Sequence, residues 1–400
     1  MDLRTHYPFS LLRYGMIHTF PSLQKNIKTD VAIMGAGISG ALMTWHLYKK
    51  GINCVVTDKR HVGTGSTAAS TSLIQYEIDT PLHVLTDMVG YGNAVRSYEL
   101  CLDAINELEK ISTEVCPSKG FIRNSSLQYA SKKNDIKVLE KEFLMRKKNG
   151  FQVELLSARD VLNDFGFHSN GALKSRQAAR LDAYVFTHSL LADLDPDQCP
   201  VFDHTEVVSI QHQKNKVVLF TGNGHTITAK KLVIACGYES QGYIRKKIEH
   251  LHCTYAVISE PGTILPWKEN SLLWETAMPY LYLRTTEDNR VLIGGKDTEY
   301  LNINEQLSIL PRKTSALQKS FTKLFPVIPF IPDFQWAGTF GTTKDGLPFI
   351  GSVPEHPNTY FALGYGGNGI TFSLLAAKMI TDSIIGKKNP DMDIFSFQRV

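Results

Sequence analysis

The sequence predicts an α/β fold of two lobes. One lobe has a parallel sheet with an antiparallel meander, and the other is an α+β lobe on a mixed or antiparallel sheet. Three observations support this: a strand–turn–helix–strand unit over residues 30–58, short alternating strands over residues 205–228, and a second glycine-rich turn over residues 364–369. The length of 400 residues exceeds that of most single domains, so two lobes are expected.

The first unit has the parts of a Rossmann-type dinucleotide site. An apolar strand, residues 30–34, runs directly into a G-x-G-x-x-G turn, and a helix pattern and a second apolar strand follow. Gly35 permits the tight turn, Gly37 lets the backbone approach a pyrophosphate, and Gly40 lets the helix pack on the strand. Asp58 ends the second strand, 18 residues beyond Gly40. A carboxylate there can accept hydrogen bonds from an adenosine ribose.

Two later segments complete the first lobe. The alternating strands of the 205–228 region are separated by Asn/Gly turns and predict the meander, and an apolar strand over residues 231–237 returns to the parallel sheet. The turn at 364–369 lies between a strand and a helix that begins at Ile370. Its amides and the helix N-terminus converge on one spot, which suits the other end of a long cofactor.

The remaining elements follow from periodicity. The pattern predicts one long amphipathic helix over residues 81–114, a charged helix over 134–148 and a helix over 307–324. Strands are predicted over residues 125–131, 151–156, 253–259, 280–284 and 290–294.

Composition narrows the class of protein. The formal net charge of +4 is small for this length and gives no reason to expect a nucleic-acid partner. No apolar run reaches the roughly 20 residues of a membrane span. Six scattered cysteines without a C-x-x-C pair, and histidines without ligand spacing, predict neither zinc nor another metal. The cysteine pattern suits a reducing compartment, so we expect a cytoplasmic protein.

With both glycine regions in hand, the chain resembles the D-amino-acid oxidase superfamily of FAD-dependent oxidoreductases, which includes glycine oxidase, sarcosine oxidase and γ-glutamylputrescine oxidase. The segments that carry the resemblance are 35–40, Asp58 with the loop 63–72, 232–237, 336–351 and 364–369. The resemblance implies a discontinuous FAD-binding lobe and a substrate lobe between its parts. The expected FAD lobe comprises residues 28–80, 170–240 and 330–400, the substrate lobe 81–169 and 241–329, and an N-terminal arm 1–27.

The resemblance also implies non-covalent FAD, since the flavin-linking cysteine of monomeric sarcosine oxidase aligns with Gly338. The first glycines would hold the pyrophosphate, Asp58 the ribose, and the last glycine turn the isoalloxazine. The residues expected to contact FAD are Gly35, Gly37, Ile38, Ser39, Gly40, Asp58, Lys59, Arg60, Gly65, Ser66, Thr67, Val207, Gly237, Gly338, Gly366, Gly367, Asn368, Gly369 and Ile370.

Three departures from these relatives bear on the substrate and the electron acceptor. Arginines that grip a substrate carboxylate in amino-acid oxidases align here with Phe340 and Gly367, which weakens the case for a simple amino acid. The oxygen-activating lysine of sarcosine oxidase aligns with Leu292. The electron acceptor is therefore left open among oxygen, a quinone and another protein.

Four residues of the substrate lobe are candidates for catalysis. Tyr282 and Arg284 alternate on one strand and share a face, which lines the pocket if that face lies over the flavin. Lys296, after a pair of glycines, falls near an active-site histidine position of sarcosine oxidase, and Tyr255 is an aromatic pocket candidate. The alternatives are a surface ion pair for Arg284, a solvated Lys296 and core packing for Tyr255.

Together these observations predict an FAD-dependent oxidoreductase that oxidises the C–N bond of an amine or amino-acid derivative by hydride transfer to flavin. The partner is then a small amine or amino-acid-like molecule, and the oligomeric state is open. Two alternatives stand beside it. The first motif alone permits an NAD-dependent dehydrogenase, and the chain could be the flavin-carrying subunit of a multisubunit dehydrogenase.

Overall fold

The computed structural model describes residues 1–5, 7–117, 120–262 and 267–399. The α-helices of these residues are α1 (Phe9–Tyr14), α2 (Ile38–Tyr48), α3 (Ser66–Ala69), α4 (Leu82–Val89), α5 (Tyr91–Val115), α6 (Ile136–Lys148), α7 (Ala158–Phe165), α8 (Ala183–Ala192), α9 (Ile303–Leu324) and α10 (Gly369–Ile384). None of these helices is long and apolar enough to cross a lipid bilayer.

The strands form two sheets. In chain order they are β1 (Ile27–Met34), β2 (Cys54–Thr57), β3 (Leu73–Ile74), β4 (Ile122–Tyr129), β5 (Val153–Ser157), β6 (Gly171–Arg180), β7 (Val201–Phe202), β8 (Val207–His212), β9 (Val217–Thr221), β10 (Thr226–Ile234), β11 (His250–Ser259), β12 (Leu272–Glu275), β13 (Tyr282–Thr285), β14 (Val291–Glu299), β15 (Pro332–Thr342), β16 (Phe349–Ser352) and β17 (Thr359–Leu363).

The first sheet has the order β16-β17-β10-β1-β2-β7 and is parallel from β17 to β7. The hairpin β8–β9 adds to it antiparallel, against the first half of β10. Every residue of β2 and the last four residues of β1 are buried. Helices such as α2 and α10 cover one face of the sheet, and the β8–β9 hairpin covers the other. The predicted strands 226–228 and 231–237 are one strand, β10, which pairs with β1 along its whole length.

The second sheet has the order β15-β11-β14-β13-β12-β4-β6-β3, with β5 beside β6. Its pairs are antiparallel apart from β12 with β4, so it is the predicted mixed sheet. Helix α9 packs on one face of it, and its Leu310, Leu317 and Phe321 are buried among strand residues such as Tyr255. The other face turns towards the first sheet.

The long helix predicted over residues 81–114 is divided. Helix α4 ends and α5 begins at Gly90, whose φ of 84° lies in the left-handed region that L-residues avoid. The hydrophobic pattern runs through this point, so periodicity alone misses the break. Strand β6 was also not predicted. Strands β6 and β15 both belong to the second sheet, although they begin the ranges 170–240 and 330–400 that were expected in the FAD lobe. The lobe boundaries therefore stay a prediction.

The N-terminal arm contacts both lobes. Its first residues run beside β15: Thr5 N–H donates to the carbonyl oxygen of Ala337 at 3.1 Å, and Thr339 N–H donates to that of Leu3 at 3.0 Å. Further along, Leu23 is buried in the core of the first sheet. The arm thereby holds the edge of the second sheet close to the first.

Candidate active site

A cavity of about 640 Å³ lies between the two sheets, within the range of about 300–1,000 Å³ usual for ligand pockets. Its floor is the carboxyl end of the parallel sheet, where Met34, Thr57 and Ala235 follow or end β1, β2 and β10. Its roof comes from the second sheet, including β11, β13 and β15. Open α/β sheets bind ligands at this edge.

The glycine turn after β1 is shaped by close contacts with the backbone. Gly35 has a φ of 106°, and a Cβ there would lie 2.4 Å from the carbonyl oxygen of Ala235. A Cβ on Gly40 would lie 1.8 Å from the carbonyl oxygen of Gly35. Gly40 therefore packs α2 on the turn and does not line the cavity, whereas Gly37, at the N-terminus of α2, does.

Hydroxyl groups surround the N-terminus of α2. The Thr67 hydroxyl oxygen accepts a hydrogen bond from the amide of Ile38 at 3.0 Å, and a Cβ on Gly37 would come within 2.9 Å of it. The buried hydroxyls of Ser66 and Thr57 also lie on the cavity wall, and neither has a hydrogen-bond partner in the described residues. Unpaired buried hydroxyls are costly, so these groups fit a polar ligand such as a cofactor pyrophosphate.

Asp58 lies at the end of the cavity expected to hold adenosine. Its carboxylate accepts hydrogen bonds from the amides of Ala36 at 2.8 Å and Arg60 at 2.9 Å. Burial raises the pKa of Asp58, and these two amides oppose the increase. Because each carboxylate oxygen has a further lone pair, ribose hydroxyls can still bind it.

Lys59 and Arg60 also line this end, but both are paired. Each ion-pairs with Glu239, Lys59 at 2.9 Å and Arg60 through two contacts of 3.1 Å. Val207, at the start of β8, and Gly237, after β10, complete this part of the wall. Glu239 is a contributor that sequence reasoning missed.

The glycine turn before α10 lies against the segment that follows β3. Asn368 donates from its side chain to the carbonyl oxygens of Gln75 at 3.1 Å and Glu77 at 2.8 Å. The amide of Gly367 donates to the Asp79 carboxylate at 2.8 Å. The turn and the 75–79 segment are therefore one unit, and both line the cavity.

Three aromatic rings form the wall opposite. Trp274 and Tyr280 have ring centroids 6.0 Å apart, and Tyr280 and Tyr282 are 6.1 Å apart, both edge to face. Tyr282 lies over Gly294 of the neighbouring strand, where a Cβ would come within 2.2 Å of the ring. Trp274 is fixed by its indole N–H, which donates to the Ser126 hydroxyl at 3.0 Å.

Two carboxylates face the cavity beside these rings. Asp79 accepts a hydrogen bond from the Tyr280 hydroxyl at 3.0 Å, and burial raises its pKa against the bonds from Gly367 and Tyr280. Asp297 lies on β14, and burial raises its pKa to about 6. Its buried Oδ1 has no hydrogen-bond partner in the described residues.

Comparison with known proteins decides the family. The model of the DAO family, described as FAD dependent oxidoreductase, matches residues 30–383. The chain belongs to the DAO family. FAD is therefore its cofactor, the protein is an oxidoreductase, and the NAD-dependent alternative is set aside.

Similar proteins agree with this family assignment. The γ-glutamylputrescine oxidoreductase of Escherichia coli is 24% identical over 405 residues, which covers 96% of this chain and 89% of the relative. The glycine oxidase of Geobacillus kaustophilus is 23% identical over 387 residues, covering 92% and 96%. The crystal structure of glycine oxidase from Geobacillus kaustophilus superposes with a TM-score of 0.76 at 20% identity, covering 94% of this chain and 100% of that chain. This likeness confirms the fold class predicted from the sequence.

The cofactor contacts predicted for this DAO-family chain form one surface. All of them except Gly40 line the cavity, including Ser39, Gly65, Gly338, Gly369 and Ile370. The cavity thus joins the first glycine turn to the last one, although more than 300 residues separate them in the sequence. The contacts with FAD itself remain a prediction.

Of the four predicted catalytic residues, the structure brings only Tyr282 to the cavity wall. Arg284 shares the face of Tyr282 but lies behind the loop after α3, where it donates to the carbonyl oxygens of Thr71 and Thr285. Burial lowers the pKa of Arg284 to about 10. The loop separates Arg284 from the cavity, and strand alternation does not reveal such a tertiary contact.

Tyr255 and Lys296 are corrections of the same kind. Tyr255 points to the opposite face of its sheet, is buried under α9 and contacts the Thr298 hydroxyl at 3.0 Å. Lys296 occupies a bulge: β14 has one residue more than β11 between their pairs at Cys253 and Tyr255. The bulge turns Asp297, rather than Lys296, towards the cavity.

Proposed function

We propose that this DAO-family enzyme oxidises the C–N bond of an amine or amino-acid derivative. A hydride leaves the carbon next to the nitrogen, the nitrogen loses a proton, and water hydrolyses the resulting imine. The single observation that carries the proposal is the continuous cavity, with a glycine cradle at one end and an aromatic, carboxylate-bearing wall at the other. The similar enzymes named above, which by their names act on glycine and γ-glutamylputrescine, support this substrate class.

The residues that would hold FAD lie in residues 34–67, here called the cradle, and in the last glycine turn, residues 364–369. Among those that line the cavity, Gly37 and Ser66 would meet the pyrophosphate, Asp58 the ribose and Gly366 the far end of the cofactor. Cys236 is on the cavity wall, but its thiol donates to the carbonyl oxygen of Met34 at 3.2 Å and burial raises its pKa. A protonated, bonded thiol forms no thioether readily, which supports non-covalent binding.

When bound, FAD supplies the acceptor for the two electrons of the hydride. The side chains of this chain prepare the amine for that transfer. A hydride leaves only a carbon whose nitrogen is neutral, so an arriving ammonium group must lose a proton. Asp79, whose pKa burial raises, lies against Gly367 of the last glycine turn and accepts a proton more readily than an ordinary carboxylate. The rings of Trp274, Tyr280 and Tyr282 exclude water from the reacting carbon.

The test is anaerobic mixing of the FAD-loaded protein with a panel of amines and amino acids, with and without deuterium on the carbon next to nitrogen. We expect loss of the oxidised-flavin absorbance, slowed several-fold by deuterium, and formation of an aldehyde or ketone. Reduction by hydroxy acids but by no amine would overturn the proposal. FAD binding without reduction by any compound would favour a flavin-carrying subunit that reacts only in a complex.

A further inference from the structure

The geometry points to a cationic substrate: an amine that carries a second positively charged nitrogen and no carboxylate. The pocket that would recognise it, here called the cation pocket, consists of Asp79, Asp297, Trp274, Tyr280 and Tyr282. This inference rests on the proposed C–N oxidation, because it names the substrate class of the same site.

The two ends of the cavity differ in the charge of the side chains that line them. In the described residues, the basic side chains on the cavity wall are Lys59 and Arg60, and both are paired with Glu239 at the adenosine end. At the other end the wall carries Asp79, Asp297 and Glu77, of which Glu77 is offset by Arg146, with 3.6 Å between the charged atoms. A substrate carboxylate there would meet carboxylates and find no cation.

The last glycine turn leaves no room for a basic side chain. A Cβ on Gly367 would lie 2.8 Å from both the Asp79 carboxylate and the Tyr280 hydroxyl, so this space is already filled. A basic side chain at residue 367 could not enter without moving Asp79. Phe340, the other position where related amino-acid oxidases have arginine, is an uncharged part of the wall. The turn therefore presents a negative group where a carboxylate-binding site needs a positive one.

The carboxylates of Asp79 and Asp297 can both accept further hydrogen bonds from a ligand. Asp79 is oriented by Gly367 and Tyr280, and its oxygens retain lone pairs for a ligand. The Oδ1 atom of Asp297 is buried and has no hydrogen-bond partner in the part of the chain that the structure describes. A hydrogen bond with Thr254 lowers the pKa of Asp297 against the effect of burial. Because this carboxylate lines the cavity and forms no salt bridge in the described residues, an ammonium group there would be its first charged donor.

The charged groups around Asp297 do not cancel its charge. His252 on β11 and Lys313 on α9 both act on it, but the imidazole of His252 contacts the Thr342 hydroxyl at 3.1 Å and Lys313 donates to the carbonyl oxygen of Lys296. Neither His252 nor Lys313 lies within 4.0 Å of the Asp297 carboxylate as a salt-bridge partner in the described residues. Asp79 adds further negative potential.

The aromatic side chains of Trp274, Tyr280 and Tyr282 add a second kind of attraction for a cation. The faces and edges of three rings at centroid spacings of 6.0 and 6.1 Å line one side of the pocket. Aromatic faces attract cations by about 0.5–2 kcal/mol each, depending on how far water is excluded. Carboxylates and rings together are the usual recognition chemistry for an alkylammonium group.

Two nitrogens are required because one cannot serve both purposes. The reacting nitrogen must be neutral when the hydride leaves, whereas the cation pocket binds a charged nitrogen more tightly than a neutral one. A diamine satisfies both conditions: one amine loses its proton and reacts while the other remains bound as an ammonium ion.

The experiment compares three probes that share one four-carbon amine: 1,4-diaminobutane, n-butylamine and 4-aminobutanoate. Their far ends are an ammonium, a methyl and a carboxylate group. For each, anaerobic titration of the FAD-loaded protein gives a Kd from the flavin difference spectrum, and rapid mixing gives the limiting rate of flavin reduction. We expect 1,4-diaminobutane to bind at least about tenfold more tightly than butylamine, and 4-aminobutanoate to bind most weakly.

Variants then assign the preference to residues. Asp297→Asn is expected to remove most of the advantage of 1,4-diaminobutane over butylamine while the Kd for FAD is unchanged. Asp197→Asn, an exposed residue away from the cavity, is the matched control and keeps the advantage. If Asp297→Asn does not bind FAD, the three-probe comparison on the unaltered protein still decides the inference.

The outcomes separate this inference from the function it rests on. Tighter binding or faster reduction with 4-aminobutanoate than with 1,4-diaminobutane overturns the cation pocket and leaves amine oxidation intact. Equal affinity for the diamine and butylamine also overturns it. If no amine or amino acid reduces the flavin, the proposed function itself is wrong.

Discussion

The two ends of the cavity are built in different ways. The cradle end comes mainly from one continuous stretch, residues 34–67, which supplies backbone amides and glycines, and Val207 and Gly237 complete its wall. The cation pocket comes from side chains of distant segments: Asp79 after β3, Trp274 on β12, Tyr282 on β13 and Asp297 on β14. A binding site built from glycine backbone tolerates few substitutions, because any side chain that replaces a glycine fills the space of the ligand. A side-chain site can change its ligand with one substitution.

The largest expected effect tests the cradle. In Gly37→Val, the new side chain would collide with the Thr67 hydroxyl, which lies 2.9 Å from a Cβ, and fill the pyrophosphate position. We expect the protein to be isolated without FAD and to take up none on addition, as measured by its visible absorbance. Gly92→Val is the control, because Gly92 lies on α5 with no atom within 4 Å of a Cβ. A yellow Gly37→Val protein would contradict the cradle assignment.

A second prediction separates ligand-facing carboxylates from one that has no ligand. Glu249 is buried beside Gly341 and Gly364 but does not line the cavity, and burial raises its pKa to about 7. Because the folded pKa exceeds the unfolded value, the folded state holds the proton more tightly. Stability therefore falls as pH rises from the unfolded pKa through about 7, by about 3 kcal/mol.

Glu249→Gln removes this titration. The pH dependence of unfolding between pH 5 and pH 8, followed by denaturant titration of the FAD-loaded protein, should flatten in the variant by that amount. The matched control is the exposed Asp197→Asn, which should keep the dependence of the unaltered protein. An unchanged slope in Glu249→Gln would mean that Glu249 is not the group responsible.

The third prediction concerns Asp58 at the cradle end. Asp58→Asn loses the charged acceptor for the ribose and weakens the bonds to the amides of Ala36 and Arg60. Hydrogen bonds to charged groups contribute about 1.5–3 kcal/mol, so the Kd for FAD should rise by roughly ten- to a hundredfold. With FAD at saturation, the preference among the three amine probes should not change. A changed preference would show that the two ends are not independent.

The smallest expected effect tests the aromatic wall. Tyr282→Leu removes a ring from the cation pocket and should weaken binding of 1,4-diaminobutane by roughly fivefold, consistent with about 1 kcal/mol for a cation–π contact. Tyr282→Phe keeps the ring and should bind the diamine nearly as well, because the hydroxyl interacts with Thr254, at 3.5 Å, and with Thr71, and the ring face remains. Equal losses in both variants would assign the effect to the hydroxyl instead.

The contrast between the ends also explains what the sequence could predict. The cradle is encoded in consecutive residues, so spacing identified Gly35, Gly37 and Asp58 together with the strands and helix around them. The last turn was found in the same way, from glycines between a strand and a helix. Gly40 was assigned to the cofactor on its position in the motif, whereas its contact with Gly35 gives it a packing role.

The cation pocket could not be found this way. Asp79 lies in a segment without periodicity, and its role comes from contacts with Tyr280 and Gly367, both more than 200 residues away. Asp297 faces the cavity because of the bulge at Lys296, and strand alternation assumes that no bulge exists. The Gly90 break between α4 and α5 escaped for a similar reason, because one left-handed residue leaves the hydrophobic pattern intact.

The most direct test of the account is the absorption spectrum of the FAD-supplemented protein, recorded under anaerobic conditions before and after addition of an amine. The account predicts an oxidised-flavin spectrum that remains with the protein on desalting, is released by acid precipitation and is lost when the amine is added. A protein that shows no flavin absorbance after supplementation would contradict the cradle. A bound flavin that amines leave fully oxidised, but another class of substrate reduces, would contradict C–N oxidation.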